Sequence, residues 1–187
     1  MHAMTSHFEF SALIIIDMQK GMEHNGPRNN PEAEVRMAEL LTRWRERGQT
    51  VVHVRHLSRI LGSPFWPGQR GAEFQERLMP HEAEHVVDKH VTDAFAQSSL
   101  ERWLHQRGIR SLVFVGVSTN MSIEASVRSA GCLGFHCKVA ADACYTYDRP
   151  DLDGRYRSAD DLHRVALANL QGEYSQICSN LLKCRTA

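Results

Sequence analysis

The stretch Leu112-Val113-Phe114-Val115 is apolar without a break and ends on Gly116. A strand with one face in water alternates apolar and polar residues. An unbroken run therefore belongs to a strand covered on both faces, as in a parallel sheet flanked by helices. Phe10 to Ile16, interrupted only by Ser11, closes on three consecutive isoleucines and has a similar character. Small polar residues begin where each run stops: Asp17 after the first, and Ser118-Thr119-Asn120-Met121-Ser122 after the second. Ligands of open α/β sheets bind at the carboxyl ends of the strands, so Asp17 and Ser122 are the first candidates for chemistry.

The rest of the chain alternates in the way such a sheet requires. Pro31 to Arg47 carries Val35, Met37, Ala38, Leu40, Leu41 and Trp44 at helical spacing and is stopped by Gly48. Val51 to Val54 reads as a second strand, and Val86-Val87 as a short third strand that ends at Asp88-Lys89. A helix over Ser98 to Gly108 leads to the fourth strand, Leu112 to Gly116. Ser118 or Thr119 is placed to cap a helix running to about Gly131, and His136 to Ala141 forms a fifth strand ending near Asp142. Ala159 to Leu170 is helical, Gly172 breaks it, and Gln176 to Ser179 supplies a sixth strand. The pattern predicts an α/β fold: a three-layer sandwich around a mainly parallel six-stranded sheet. Leu57 to Pro80, rich in Pro and Gly around Phe65 and Trp66, reads as a long excursion over the site.

At 187 residues, with no linker-like tract, the chain reads as one domain over 9–187, with residues 1–8 a disordered lead-in. Lys plus Arg and Asp plus Glu balance at 22 each, which argues against nucleic acid and anionic membranes as partners and favours a small-molecule substrate. Neither a signal-peptide core nor a membrane-length apolar run is present, so a cytoplasmic protein is expected. Five cysteines (Cys132, Cys137, Cys144, Cys178, Cys184) without paired C-x-x-C spacing argue against a disulfide framework and a structural zinc site.

Asp17 in Ile-Ile-Ile-Asp-Met-Gln, Lys89 in Val-Val-Asp-Lys-His and Ser122 in Gly-Val-Ser-Thr-Asn-Met-Ser together resemble the isochorismatase-like (cysteine hydrolase) superfamily. Ser98-Ser99-Leu100, Val139-Ala140-Ala141-Asp142-Ala143 and Ala168-Asn169-Leu170 extend the resemblance over nearly the whole chain. It implies a Rossmann-like sheet, a homodimer or higher homo-oligomer, and a triad of Asp17, Lys89 and Ser122. Serine stands here where the family's pattern has cysteine. The resemblance also implies a cis peptide between Val117 and Ser118, with the Ser118 and Ser122 backbone N–H groups forming an oxyanion hole. Nicotinamidase relatives hold a metal with an aspartate and histidines after the second strand. This chain reads His53-Val54-Arg55-His56 there, so neither metal nor cofactor is implied.

Two reactions fit these residues. In the first, Asp17 takes the proton of the nucleophile, Lys89 holds the carboxylate ionised, and the nucleophile attacks an amide or carbamoyl carbon. A thiol near pKa 8.5 suits an aspartate near about 3.9 better than a hydroxyl does. In the second, Asp17 protonates the vinyl ether of isochorismate and water adds, with Ser122 only a hydrogen-bonding group. A third reading, motivated by the missing thiol, is a small-molecule binding protein without turnover. Gln19, Arg55, Phe65, Trp66 and Asn120 are the candidate substrate contacts, and Tyr145 and Tyr147 are weaker ones at the rim. His81-Glu82-Ala83-Glu84-His85 matches the zinc-protease pattern H-E-x-x-H. The strand starting at Val86 denies its histidines the common helix that pattern needs.

Overall fold

The computed structural model describes residues 11–23 and 26–181. The expected lead-in, Phe10 and Cys184 lie outside the described residues. The strands are β1 (Ser11–Ile16), β2 (Val51–His56), β3 (His85–Lys89), β4 (Ser111–Val117), β5 (His136–Tyr145), β6 (Arg149–Pro150), β7 (Tyr156–Arg157) and β8 (Gln176–Cys178). The helices are α1 (Ala33–Glu46), α2 (Leu100–Gln106), α3 (Glu124–Cys132) and α4 (Ala159–Leu170). Six strands form one sheet, all parallel, in the order β3-β2-β1-β4-β5-β8, and β6 and β7 pair as a small antiparallel hairpin.

The unbroken apolar runs now have their physical cause, because both faces of β1 and β4 are covered. Leu13, Ile15, Val113 and Val115 meet Ala33, Met37, Leu40, Leu41 and Trp44 of α1. Ala12, Ile14, Ile16, Leu112 and Phe114 meet Leu100 and Leu104 of α2, Val127 and Ala130 of α3, and Leu167 and Leu170 of α4. Each fully buried aliphatic side chain there contributes roughly 2 kcal/mol by leaving water. Trp44 is both packed and fixed, donating its indole N–H to the Ser11 carbonyl at 3.0 Å. Among the described residues no helix is long and apolar enough to cross a membrane.

Three elements depart from the sequence expectation. The fifth strand does not stop near Asp142 but continues to Tyr145, and its register against β4 slips between Phe114 and Gly116. Asn30 holds the resulting bulge, donating its amide N–H groups to the Ala141 carbonyl at 2.9 Å and the Cys144 carbonyl at 2.6 Å. A side chain 111 residues away in sequence sets that strand's length, so local pattern could not show it. The helix after β4 is not capped by a serine or threonine side chain; it opens with a π-helical turn over Thr119–Ile123. The excursion after β2 contains helical turns at Arg70–Ala72 and Glu76–Leu78, and Gln19 pairs with Phe74 in an antiparallel bridge.

Strand order reverses between β1 and β4: β2 and β3 lie on one side of β1, and β4, β5 and β8 on the other. Connections leave the sheet in opposite directions at this point, opening a crevice at the carboxyl ends. Asp17 follows β1, and the Val117–Ser118 peptide ends β4.

Candidate active site

Asp17, Lys89 and Ser122, far apart in sequence, meet at this crevice with exposures of 2%, 1% and 6%. Each is delivered by a strand end or the turn beyond it. Asp17 has φ 56°, a left-handed conformation that aspartate tolerates better than most residues, and its N–H is tied to the Val54 carbonyl of β2. Lys89 is the last residue of β3. Ser122 is presented by the π-helical turn, in which the Ser118 carbonyl accepts from the N–H groups of Met121 and Ile123. The Val117–Ser118 peptide just ahead of that turn is cis and does not involve proline.

The Ser122 hydroxyl donates to Asp17 Oδ2 at 2.7 Å. Lys89 Nζ lies 2.9 Å from the same carboxylate oxygen, 3.2 Å from Ser122 Oγ and 3.1 Å from the Val91 carbonyl. These acceptors match the three protons of an ammonium group, so the cation is fully satisfied away from water. Burial pushes the Asp17 carboxyl above its ordinary value, and the charge and hydrogen bond of Lys89, with the Ser122 hydroxyl, work against that rise. Asp17 Oδ1 is buried and has no hydrogen-bond partner among the described residues. An acceptor of this kind is where a substrate N–H or a water would dock. The arrangement contains a hydroxyl on a base, an ammonium ion beside both, and a second carboxylate oxygen free to handle a proton.

The other candidate residues have varied positions. Gln19 is fully buried, and its side chain is spent on backbone: Nε2 donates to the carbonyls of His56 (2.9 Å) and Ala72 (3.0 Å), and Oε1 accepts from the His56 N–H (2.8 Å). Arg55 makes a bidentate ion pair with Asp88 at 2.7 and 2.9 Å, leaving it occupied at the edge of the sheet. Phe65 from the excursion packs edge-on against His56, with ring centroids 6.0 Å apart, while Trp66 is half-buried in a turn closed by its own N–H to the Ser63 carbonyl. Asn120 accepts from the Thr146 hydroxyl at 2.6 Å, joining the π turn to the end of β5. Tyr145 is fully buried beneath the Arg28 guanidinium rather than at the rim, and Tyr147 donates its hydroxyl to the Met22 carbonyl.

No other described thiol takes the place of the serine. Burial pushes Cys137 and Cys144 up to about 12, Cys178 is buried, and Cys132 is exposed at the end of α3. The H-E-x-x-H segment is a turn followed by the first residue of β3, so its histidines share no helix. His85 stacks on Trp103 at 4.0 Å, and Glu84 grips Arg45 at 2.7 and 2.8 Å and His53 at 2.9 Å.

Sequence reasoning missed His163. It is 7% exposed on α4, and its Nδ1 shares a hydrogen bond of 2.8 Å with the hydroxyl of Thr119, the first residue of the π turn. The signal was present: His163 lies on the buried stripe of α4 with Ala159, Ala166, Leu167 and Leu170. Burial lowers its pKa from 6.5 to about 4. The unfolded chain therefore binds this proton more readily than the folded one between those values. The stabilisation is complete above pH 6.5 and is lost as pH falls towards about 4. Between about pH 7 and about pH 4.5 the wild type is expected to lose on the order of 2 kcal/mol more stability than His163→Gln. Urea unfolding at the two pH values measures this, and equal losses would contradict it.

Comparison with known proteins shows which family the chain is related to. A family model described as an Isochorismatase domain matches residues 11–180. An isochorismatase-family structure from Chromobacterium violaceum superposes with a TM-score of 0.89 at 44% identity, covering 92% of this chain and 90% of that one. The isochorismatase family protein YrdC of Bacillus subtilis is 33% identical over 171 residues, 90% of this chain and 91% of that protein. Streptothricin hydrolase of Streptomyces noursei is 34% identical over 142 residues, 74% of this chain and 51% of that protein. The chain belongs to the isochorismatase family of hydrolases.

Proposed function

We propose that the protein hydrolyses the C–N bond of a small-molecule amide or carbamoyl compound through a covalent intermediate on Ser122. The observation that carries this reading is the 2.7 Å hydrogen bond from the Ser122 hydroxyl to Asp17, a nucleophile already within reach of its base. Asp17 takes the hydroxyl proton as Oγ attacks the carbonyl carbon. The backbone N–H groups of Ser118 and Ser122 receive the developing oxyanion. The C–N bond breaks as Asp17 passes the proton to the leaving nitrogen, and water then cleaves the ester. The raised Asp17 pKa narrows the gap between base and hydroxyl, and Lys89 stabilises the negative charge that moves between them. The relationship to streptothricin hydrolase is consistent with a hydrolytic reaction.

Cleavage of an isochorismate-type vinyl ether is the second reading. It is favoured by the raised Asp17 pKa together with the unpartnered Oδ1, which would suit a general acid. Ser122 is dispensable in that reaction.

Ammonia release from a panel of small amides and carbamoyl compounds tests the proposal. The wild type is expected to turn over at least one of them, and Asp17→Asn to be slower by about a thousandfold, because its base is gone. Turnover of isochorismate with silence on every amide favours the second reading. Affinity without turnover on either class leaves a binding protein.

A further inference from the structure

His56, the last residue of β2, is a titratable group beside the triad to which the steps above assign no role. In the parallel ladder His56 is paired with Lys89 of β3. Paired residues of neighbouring strands stand on the same face about 5 Å apart, so the imidazole lies next to the Lys89 side chain. Its backbone is clamped on both sides by one buried side chain, with Gln19 Oε1 accepting from the His56 N–H at 2.8 Å and Gln19 Nε2 donating to its carbonyl at 2.9 Å. A fully buried glutamine that bonds both the N–H and the carbonyl of His56, and ties it to the Ala72 carbonyl at 3.0 Å, holds that residue in place. The ring is half-buried under Phe65, and among the described residues neither of its nitrogens has a hydrogen-bond partner.

The other described histidines near the sheet edge are engaged. His53 bonds Glu84, His85 stacks on Trp103, His90 bonds the Leu57 carbonyl, and His163 bonds Thr119 from behind the π turn. In the acyl-enzyme Ser122 Oγ carries the acyl group and no longer donates, while Asp17 Oδ2 keeps its ion pair with Lys89. An ester of serine still needs a base for the incoming water, and a neutral imidazole offers a ring nitrogen that accepts a proton.

We propose that His56 is a further catalytic residue, the base that takes a proton from the water that cleaves acyl-Ser122. This rests on the covalent reading above. The water oxygen bonds to the acyl carbon while its proton passes to a ring nitrogen. The carbon–Oγ bond then breaks, and the imidazolium returns the proton to Ser122 Oγ as the acid leaves. The charged and titratable groups that face the ring are Asp17 after β1, Lys89 at the end of β3 and His90 beyond it, while the excursion offers Phe65. Burial, followed by Lys89, lowers the His56 pKa, which keeps the ring in its neutral, proton-accepting form at pH 7.

The test uses 4-nitrophenyl acetate, whose leaving group needs no proton, with acetylation read by intact mass and peptide mapping, and with Ser122→Ala as the control for other sites. His56→Gln is expected to release its first equivalent of nitrophenolate as the wild type does, and then to lose acetyl from Ser122 about a hundredfold more slowly. The retained burst shows that the variant's site is folded. Free imidazole is expected to restore deacylation in His56→Ala. The wild-type deacylation rate should fall on the acid side of the His56 pKa, and that limb should vanish in His56→Gln. Acetyl-Ser122 that forms in both proteins and decays at the same rate overturns the proposal while leaving the covalent reading intact. No acetyl on Ser122 in either protein removes the covalent reading, and the role of His56 with it.

Discussion

Ser122→Ala is expected to lower amide kcat/KM by on the order of 10⁴-fold or more, and Ser122→Cys to raise it by about a hundredfold over the wild type. Both expectations follow from the one hydroxyl held 2.7 Å from Asp17. Alanine removes the atom that forms the acyl bond, leaving only binding and oxyanion stabilisation. Cysteine replaces a very weak acid by a thiol near about pKa 8.5, several units closer to a carboxylate base. Among thiols nucleophilicity falls with basicity at a sensitivity of only about 0.4 to 0.5, so a lowered pKa costs less in attack than it gains in thiolate. The ammonium group of Lys89, 3.2 Å from Oγ, favours the thiolate further. Steady-state rates on the best amide of the panel provide the measurement. Activity retained in Ser122→Ala would exclude the acyl-enzyme and point to Asp17 acting as a general acid on a different bond.

Gly116→Ala is expected to cost about 4 kcal/mol or more of folding stability. A Cβ at residue 116 would sit 2.1 Å from the carbonyl oxygen of Ile16, 2.8 Å from its nitrogen and 2.9 Å from its carbonyl carbon. All three are backbone atoms of β1, the neighbouring strand, so the clash is relieved only by parting the sheet at its centre. The backbone there also has φ 132°, where an L-residue is strained. Gly134→Ala is the control: φ is 85°, but no atom lies within 4 Å of the added carbon, so about 1 kcal/mol is expected from conformation alone. Urea unfolding of the two variants separates the effects. Equal losses would show that the close approach of β1 and β4 is not what requires glycine. Because Ile16 precedes Asp17, the surviving folded fraction of Gly116→Ala should also lose more activity than its stability explains.

Local chemistry made much of the architecture legible. Short unbroken apolar runs rich in Ile and Val and stopped by Gly or small polar residues read as strands covered on both faces, so a mainly parallel sheet followed from β1 and β4, and α4 was legible from end to end because its stripe of Ala159, Ala166, Leu167 and Leu170 repeats at helical spacing. The triad residues stood out because each follows or ends a strand. Features set by distant partners were not legible in the same way. Asn30 lengthens β5 by holding the carbonyls of Ala141 and Cys144, and no pattern within β5 records it. Gln19 and Arg55 looked like polar groups free to meet a substrate, until the fold placed two backbone carbonyls around one and Asp88 against the other.

Sequence alone thus determined which segments are strands and helices, that the sheet is parallel, and which carboxylate, amine and hydroxyl stand at its edge. Those properties depend on the periodicity and character of residues next to one another in the chain. Only the tertiary structure decided that Asp17, Lys89 and Ser122 lie within hydrogen-bond reach, that Gln19 supports His56, and that His163 braces the turn bearing Ser122. Hydrogen bonds and the electrostatic effects of burial act over a few ångströms in space. Which groups they join is set by strand order and register rather than by neighbours along the chain.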